Sequence, residues 1–299
     1  MIKLGIVDFD TSHAVEFTKR LNHVDIAEDQ WVDGAKVLFG VPGTSQISPE
    51  VIPKNLEKLK EYGVTILDDP ADLVGKVDAV LIESVDGSVH LERAMPFLEK
   101  GIPTYIDKPF ACSLKDAKAL IDVAMRKHVP LMSSSSLRYA PEVVAARGKD
   151  SPVGEIIGVT TYGPAPTHPR NPGLFHYGIH PVEMLFALMG PGCVKVANMY
   201  SEGGEVVTGL WKDGRVASVR GLRAGNFGEY GFTLFGTKAV ITQGVSTKYI
   251  YRELLKQIVI LFATKQLPID LRETLEIVAF IEGARQSGEA GGAPIEIKV

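Results

Sequence analysis

The chain has 299 residues, of which 45% are hydrophobic and 23% are charged, a composition typical of a globular protein with room for two domains. The net charge of −4 and the isoelectric point of about 6.0 argue against a nucleic-acid-binding protein, because such proteins need a basic face to neutralise phosphates. Cys112 and Cys193 form no disulfide framework, and no apolar stretch approaches the length of a membrane span, so we expect a cytoplasmic protein without membrane contacts.

The first half of the chain alternates short apolar strands with amphipathic helices. Strands are predicted at residues 3–7, 35–39, 64–67, 78–82, 103–106 and 130–133. The first helix is predicted to begin with Ser12 as its N-cap, and further helices are predicted at residues 55–62, 88–100 and 113–127. This alternation is typical of βαβ units, which build a parallel sheet with helices on both faces.

The pattern changes after residue 134. Strands with alternating polar and apolar residues are predicted at residues 156–162, 194–200, 206–211, 216–222, 230–235 and 239–242, with turn residues between them. Helices are predicted at residues 176–189, 252–264 and 271–286. The sequence therefore predicts an α/β fold with a Rossmann-like nucleotide-binding domain at residues 1–134. A C-terminal α+β domain with a large open, mostly antiparallel sheet is predicted at residues 135–299.

Polar or glycine-rich residues follow several strands of the first half, where a parallel sheet binds its ligands. They lie at residues 8–13, 40–45, 83–90 and 107–109. In the last stretch Pro109 fixes the turn, and Lys108 can donate a charge-assisted hydrogen bond to a substrate hydroxyl or alkoxide. A surface ion pair between Lys108 and Asp107 is the alternative interpretation.

Two histidines open the predicted helix at residues 176–189. His176 and His180 are four residues apart, so we expect them to share one helix face. A neutral imidazole is suited to take a proton from a hydroxyl near pH 7. Ordinary hydrogen-bonded histidines at a helix end are one alternative. A metal site that also includes Glu183 is another, but the spacing alone supports it weakly and no metal is assigned.

In their order and spacing, several segments resemble the Gfo/Idh/MocA family of NAD(P)-dependent oxidoreductases over nearly the whole chain. These segments are residues 77–90, residues 101–111 with Asp107-Lys108-Pro109 in place of Glu-Lys-Pro, residues 136–141, the His176-to-His180 segment in place of Asp-x-x-x-His, and residues 230–241.

The resemblance implies hydride transfer between a nicotinamide cofactor, NAD or NADP, and a hydroxyl of a sugar, cyclitol or related polyol. In that reaction His180 would accept the hydroxyl proton, and Lys108 would bind the hydroxyl and stabilise the developing negative oxygen. Substrate contacts are implied for Arg138, His176 and Tyr177. Cofactor contacts are implied for the residues that follow three strands, namely Asp8, Asp10, Thr11, Ser12, His13, Ser84, Asp86, His90, Asp107 and Lys108. A homodimer or homotetramer is expected, since the exposed face of the second sheet needs covering.

The first turn departs from the family pattern. The family has a Gly-x-Gly-x-x-Gly turn that lets the backbone approach a pyrophosphate, whereas this chain has Asp8-Phe9-Asp10-Thr11-Ser12-His13. We expect Asp8 and Asp10 to repel a pyrophosphate and to fill its place.

The end of the second strand departs as well. Residues 39–45 offer no acid for a ribose hydroxyl and no adjacent arginine for a ribose phosphate. A second hypothesis therefore stays open, a family member with lost or altered cofactor use that acts as a ligand-binding or regulatory protein. In that case Asp8, Asp10 and His13 would bind a cation or a cationic ligand, or would form a hydrogen-bonded turn with Ser12 as a cap.

Overall fold

The computed structural model describes residues 1–148 and 150–299. Its strands are β1 (Ile2–Val7), β2 (Ala35–Val41), β3 (Thr65–Ile66), β4 (Ala79–Ile82), β5 (Thr104–Ile106), β6 (Leu131–Ser133), β7 (Ile156–Pro164), β8 (Cys193–Ser201), β9 (Gly204–Trp211), β10 (Val216–Leu222), β11 (Tyr230–Gly236), β12 (Val240–Val245) and β13 (Ile295–Glu296).

The α-helices are α1 (Ser12–Asn22), α2 (Ile52–Glu61), α3 (His90–Glu99), α4 (Leu114–Lys127), α5 (Pro141–Ala146), α6 (Ile179–Met189), α7 (Ile250–Thr264) and α8 (Leu271–Glu289). Within the two described ranges, none of these helices combines the length and the apolar character that crossing a bilayer requires.

The chain divides into two compact units. The first unit comprises residues 1–111, 115–134 and 251–271, and the second comprises residues 112–114, 135–250 and 272–299. The sequence predicted a single division after residue 134. The structure differs in α7, because Arg252 donates a 2.6 Å hydrogen bond to the carbonyl of Asp29 in the first unit.

The first unit contains a six-stranded sheet in the order β3-β2-β1-β4-β5-β6, with every pairing parallel. The strand order reverses between β1 and β4, which is the switch point where open parallel sheets bind ligands. The strands are short and almost wholly apolar because helices cover the sheet. The inward faces of α1, α3 and α4 supply this core, with Ala14, Phe17, Leu21, Ala94, Phe97, Leu98, Ala117, Leu120 and Ala124 all buried.

The second unit contains a seven-stranded sheet in the order β12-β11-β7-β10-β9-β8-β13. It is mixed, because β10 pairs with β7 in parallel and with β9 antiparallel, whereas the other pairings are antiparallel. All eleven residues of α6 are buried, and α6 packs on β7 and β10. A helix that is buried on every face lies in the interior of its unit.

Two predicted helix starts need correction. The N-cap of α1 is Thr11, whose side chain accepts from the backbone N–H of His13, and the predicted cap Ser12 is the first helical residue. The helix predicted from residue 176 begins instead at Ile179. His176 ends a short 3₁₀ turn (Gly173–Phe175), and its ψ of −76° is far from the helical value of about −42°.

Candidate functional site

The loops that follow β1, β4 and β5 meet at the switch point of the first sheet. Asp8 follows β1, Glu83 and Ser84 follow β4, and Asp107 and Lys108 follow β5. Their side chains are between 0% and 8% exposed, although all of them are polar. The carboxyl edge of the sheet is therefore polar and buried.

The Asp8 carboxylate closes the β1–α1 turn. Its Oδ2 accepts hydrogen bonds from Ser84 Oγ at 2.5 Å and from Arg93 Nε at 3.1 Å. The residue has a φ of +67°, and Gly43 lies so close that a Cβ there would stand 1.6 Å from Asp8 Oδ1. Arg93 offsets the negative charge of Asp8. The repulsion that we expected between Asp8 and a pyrophosphate is therefore weaker than the sequence indicated.

The Asp10 carboxylate occupies a backbone donor on the neighbouring loop. Its Oδ1 accepts from the backbone N–H of Val85 at 3.0 Å, and its side chain also bonds to Ser45. Burial raises the pKa of Asp10, and the charge of Asp8 raises it further. The hydrogen bonds from Ser45 and Val85 lower this pKa but do not cancel the effect of burial. A donor next to the switch point is thus satisfied within the protein.

Asn55 of α2 holds the same turn from the other side. Its Nδ2 donates to the carbonyls of Phe9 and Thr11 at 2.7 and 2.8 Å, and the residue is 7% exposed. Ser12, in contrast, is exposed. The turn that replaces the glycine-rich loop is therefore fixed by side-chain hydrogen bonds to the backbone.

His13 and Asp107 form a buried pair. His13 Nδ1 lies 2.9 Å from Asp107 Oδ2 and 3.9 Å from Glu83 Oε2. Lys108 Nζ lies 3.7 Å from the same Asp107 oxygen. Burial alone would raise the pKa of Asp107, but His13 and Lys108 hold it below its ordinary value. The ion pair between Lys108 and Asp107, which was the alternative interpretation of Lys108, is present, but it is buried rather than on the surface.

His90 ties together the loops after β4 and β5. Its Nε2 lies 2.9 Å from the Ser84 carbonyl, and its Nδ1 lies 2.8 Å from the Pro109 carbonyl. Asp86 Oδ1 accepts from the backbone N–H and the hydroxyl of Ser88 at 2.9 and 2.6 Å. Both side chains shape the loops, and neither arrangement requires a bound cofactor.

In the second unit Arg138 is the centre of a buried ion network. Its Nε donates to Glu183 Oε2 at 2.7 Å, and its Nη2 lies 2.6 Å from Glu273 Oε1. Burial lowers the pKa of Arg138, but the two carboxylates more than compensate and raise it above its ordinary value. This geometry favours a structural role over the predicted substrate contact. It also engages Glu183, the third residue of the alternative histidine metal site.

The histidines of the second unit lie in an aromatic and polar cluster. His180 Nδ1 is hydrogen-bonded to Ser135 Oγ at 2.7 Å, and the His180 ring packs edge-on against Tyr230 and Tyr177. His176 contacts the other side of Tyr177, with ring centroids 5.0 Å apart. The predicted residues His176, Tyr177 and His180 therefore lie together, although the two histidines do not share a helix face.

Several residues of these networks were not predicted. Arg93 lies on a helix that was predicted from residue 88, but nothing local indicates that it turns toward Asp8. Ser135 lies in the serine run that marked the domain boundary. Tyr251 belongs to α7 and follows His13 by about 240 residues in the chain, yet the centroids of the two rings lie 5.0 Å apart. Only long-range packing brings such residues to the site.

Comparisons with known proteins agree with this architecture. Residues 48–135 match the family described as an oxidoreductase family with an NAD-binding Rossmann fold, GFO_IDH_MocA. Over residues 48–135 the chain is similar to the Gfo/Idh/MocA family. The candidate oxidoreductase YceM of Salmonella typhimurium is 32% identical over 88 residues, which cover 29% of this chain and 28% of YceM.

Solved structures show the same fold over the whole chain. Myo-inositol dehydrogenase from Lactobacillus casei, in complex with NAD(H) and myo-inositol, has a TM-score of 0.79 at 16% identity and covers 100% of this chain and 97% of its own. The WlbA dehydrogenase from Bordetella pertussis, in complex with NADH and UDP-GlcNAcA, has a TM-score of 0.78 at 17% identity and covers 100% and 98%. The fold of these dehydrogenases, a parallel Rossmann-like sheet followed by a mostly antiparallel sheet, is confirmed for this chain.

The residues of the first unit fit the family's dinucleotide in part. The sheet order, the N-terminus of α1 and the position of Lys108 after β5 suit a nucleotide at the switch point. The family match begins at residue 48, beyond the turn that in Gfo/Idh/MocA proteins is glycine-rich. In that turn Asp8 and Asp10 already bind protein donors.

Proposed function

We propose that the protein is an NAD(P)-dependent oxidoreductase that acts on a hydroxyl of a sugar, cyclitol or related polyol. The observation that carries this proposal is the buried Lys108 after β5, at the switch edge of a Rossmann-ordered sheet, inside the stretch that matches an NAD-binding oxidoreductase family. A nicotinamide bound at this edge would supply the acceptor or donor of the hydride. The two solved dehydrogenases named with myo-inositol and a UDP-sugar support the substrate class.

Lys108 is placed to stabilise negative charge on oxygen. Its Nζ lies 3.7 Å from the Asp107 carboxylate, and the residue is 8% exposed, so an anionic partner lies beside it in a buried site. A charge-assisted hydrogen bond from a desolvated ammonium to an alkoxide is stronger than the same bond in water. In the proposed reaction Lys108 binds the reacting hydroxyl.

His180 is the proposed base of the second unit. Ser135 Oγ holds Nδ1 at 2.7 Å, and this bond orients the ring. In the proposed reaction Nε2 takes the proton of the hydroxyl, which is the task for which imidazole is suited near pH 7. His176 and Tyr177 are the proposed substrate contacts beside it.

A homo-oligomer belongs to the same proposal. One face of the second sheet carries apolar side chains that alternate with buried ones, and paired residues such as Val216 with Leu210 and Phe235 with Val240 are exposed on it. A row of exposed apolar side chains across neighbouring strands is typical of an interface. We propose that a second copy of the chain covers it.

The hydrogen bonds of the β1–α1 turn favour a second candidate function. Asp10 accepts a hydrogen bond from the backbone N–H of Val85, and Asp8 accepts hydrogen bonds from Ser84 and Arg93. These donors next to the switch point are therefore bonded to protein carboxylates rather than left for a phosphate. A protein with altered cofactor use that binds a ligand at the same edge would need no pyrophosphate loop. Cofactor binding therefore separates the two candidates.

The test is a titration of the full chain with NADH and NADPH, followed by nicotinamide fluorescence. The oxidoreductase predicts saturation below the millimolar range and turnover with a polyol such as myo-inositol. Lys108→Ala and His180→Ala should each lower kcat by roughly 10²-fold or more, with the dissociation constant of the reduced cofactor nearly unchanged. The exposed Lys100→Ala and His128→Ala are the matched controls and should keep full activity.

No binding of either cofactor at millimolar concentration would reject the oxidoreductase and favour the second candidate. Turnover that survives both substitutions would retain the cofactor proposal and reject the catalytic assignment.

A further inference from the structure

Three metal-ligating side chains converge at the switch point of the first sheet. His13 comes from the first turn of α1, Glu83 follows β4, and Asp107 follows β5. They are 6%, 0% and 0% exposed, and their ligand atoms all lie within 4.8 Å of one another. The three residues belong to one compact unit, and we refer to them as the switch-point triad.

The distances suit a common cation. His13 Nδ1 is 2.9 Å from Asp107 Oδ2 and 3.9 Å from Glu83 Oε2. With metal–ligand bonds of about 2.0–2.2 Å, neighbouring ligand atoms in a tetrahedral site lie about 3.4 Å apart. Side-chain adjustments of about 1 Å would bring the triad onto one ion.

Glu83 is the member of the triad whose polar atoms are left unsatisfied. Among the residues that the structure describes, neither of its carboxylate oxygens has a hydrogen-bond partner, and the residue is fully buried. An ionised carboxylate without partners in a protein interior is strongly destabilising unless a cation compensates it.

The surrounding charges leave room for such a cation. Asp10 adds a third buried carboxyl group at this edge. Lys108 Nζ lies 3.7 Å from Asp107 Oδ2 and supplies a positive group. The three acidic side chains outnumber this lysine, and a divalent cation would reduce the excess of negative charge.

We propose that His13, Glu83 and Asp107 bind a divalent transition-metal cation of the Zn²⁺ or Mn²⁺ class. One imidazole nitrogen and two carboxylate oxygens are a donor set that suits these ions. On binding, His13 Nδ1 releases any proton that it shares with Asp107 and coordinates the ion through its lone pair. The bound ion links the loops after β1, β4 and β5, and so stabilises the edge where the glycine-rich turn is absent.

The experiment uses the full chain, purified without an affinity tag that binds metal and then stripped with a chelator. Calorimetric titrations with Zn²⁺ and with Mn²⁺ are run without nicotinamide cofactor, so that their outcome does not depend on the proposed function. We expect one ion per chain and a melting temperature that rises when the ion is bound. Glu83→Gln and His13→Gln should each weaken binding by at least about 100-fold and abolish the rise.

Glu99→Gln is the matched control, because Glu99 is a partly exposed carboxylate of the same unit, paired with Arg126 and Lys127. It should bind the ion as the unsubstituted protein does. X-ray absorption of the unsubstituted protein loaded with Zn²⁺ gives a readout that needs no variant, and we expect one nitrogen and two carboxylate ligands from the triad.

Failure to bind either ion overturns the proposal, as does binding that both triad substitutions leave intact. A stripped protein that binds no metal, together with a Glu83→Gln variant of equal or greater stability, would instead assign Glu83 as a protonated buried acid. An absorption spectrum without a histidine ligand would also reject the triad.

Discussion

Burial decides the role of Arg138. The residue begins the second unit, and the sequence predicted a substrate contact for it. In the structure it is 3% exposed, with Glu183 and Glu273 as partners within 2.7 Å. A guanidinium that is already held by two carboxylates has little capacity for a ligand, so its role is to join α6 and α8 to the segment that follows β6.

We expect Arg138→Ala to destabilise the fold by about 3–5 kcal/mol, because two carboxylates would remain buried without their counterion. Arg215→Ala is the control, since Arg215 pairs with Asp213 at a partly exposed turn and its loss should change stability by less than about 1 kcal/mol. Urea denaturation followed by circular dichroism measures both. Unchanged stability with a weakened substrate affinity for Arg138→Ala would restore the substrate-binding role.

The two cysteines should differ in reactivity. Burial raises the pKa of Cys193 to about 12, and the residue is 4% exposed, whereas Cys112 is partly exposed. Since the thiolate is the nucleophile, Cys193 stays protonated and unreactive at pH 8. In a Cys112→Ser variant we expect a thiol reagent such as dithionitrobenzoate to react at least about 100-fold more slowly in the native state than in denaturant. Rapid native labelling would contradict the burial of Cys193.

At the scale of elements, the β1–α1 turn is the part of the fold that departs most from a nucleotide-binding loop. A glycine-rich turn leaves its backbone donors for a phosphate. Here Asp8, Asp10 and Thr11 accept hydrogen bonds from protein groups, and Asn55 donates to the turn from α2. Most polar groups of the turn therefore have partners within the protein, whereas Asp8 Oδ1 has no hydrogen-bond partner among the described residues.

Asn55→Ala should therefore destabilise the first unit. The carbonyls of Phe9 and Thr11 would each lose a buried donor, and we expect a loss of about 2–4 kcal/mol. Asn226→Ala, at an exposed position, should change stability by less than about 0.5 kcal/mol. Hydrogen exchange of the amides in α1 would show whether the loss is local, and equal exchange in both variants would contradict the assigned role.

For the whole molecule, the main feature is the outer face of the second sheet, which exposes apolar side chains. Alternation along β9, β10 and β11 puts one set of side chains into the core under α6 and α8 and leaves the other set outside. Val216 is 50% exposed and Val240 is 60% exposed on that outer face. A second copy of the chain is the partner that we propose for this face.

Leu210→Lys combined with Val216→Lys should convert the oligomer to a monomer, because two paired charges on neighbouring strands cannot be buried against the same face of another chain. Light scattering after size-exclusion chromatography measures the mass. Met125→Lys, an exposed apolar position on α4, is the control and should leave the mass unchanged. A double variant that keeps the mass of the original protein would exclude this face as the interface.

Periodicity and turn residues were enough to predict the parallel sheet, the change of architecture after residue 134 and the polar edge with Asp107 and Lys108. Those features depend on local patterning, because each short apolar strand or amphipathic helix carries its own signal. The start of α6 was predicted too early, since a short 3₁₀ turn at Gly173–Phe175 precedes the helix and leaves His176 outside it.

The partners of the site residues were decided only by tertiary structure. The sequence shows that His13, Glu83 and Asp107 follow the start of a helix and the ends of two strands, but strand order alone brings them within 4.8 Å. Likewise Arg93 reaches Asp8 across 85 residues of chain. Local sequence determines which segments are strands and helices, whereas burial and long-range pairing decide which charges meet, because the energy of a charge depends on its surroundings rather than on its neighbours in the chain.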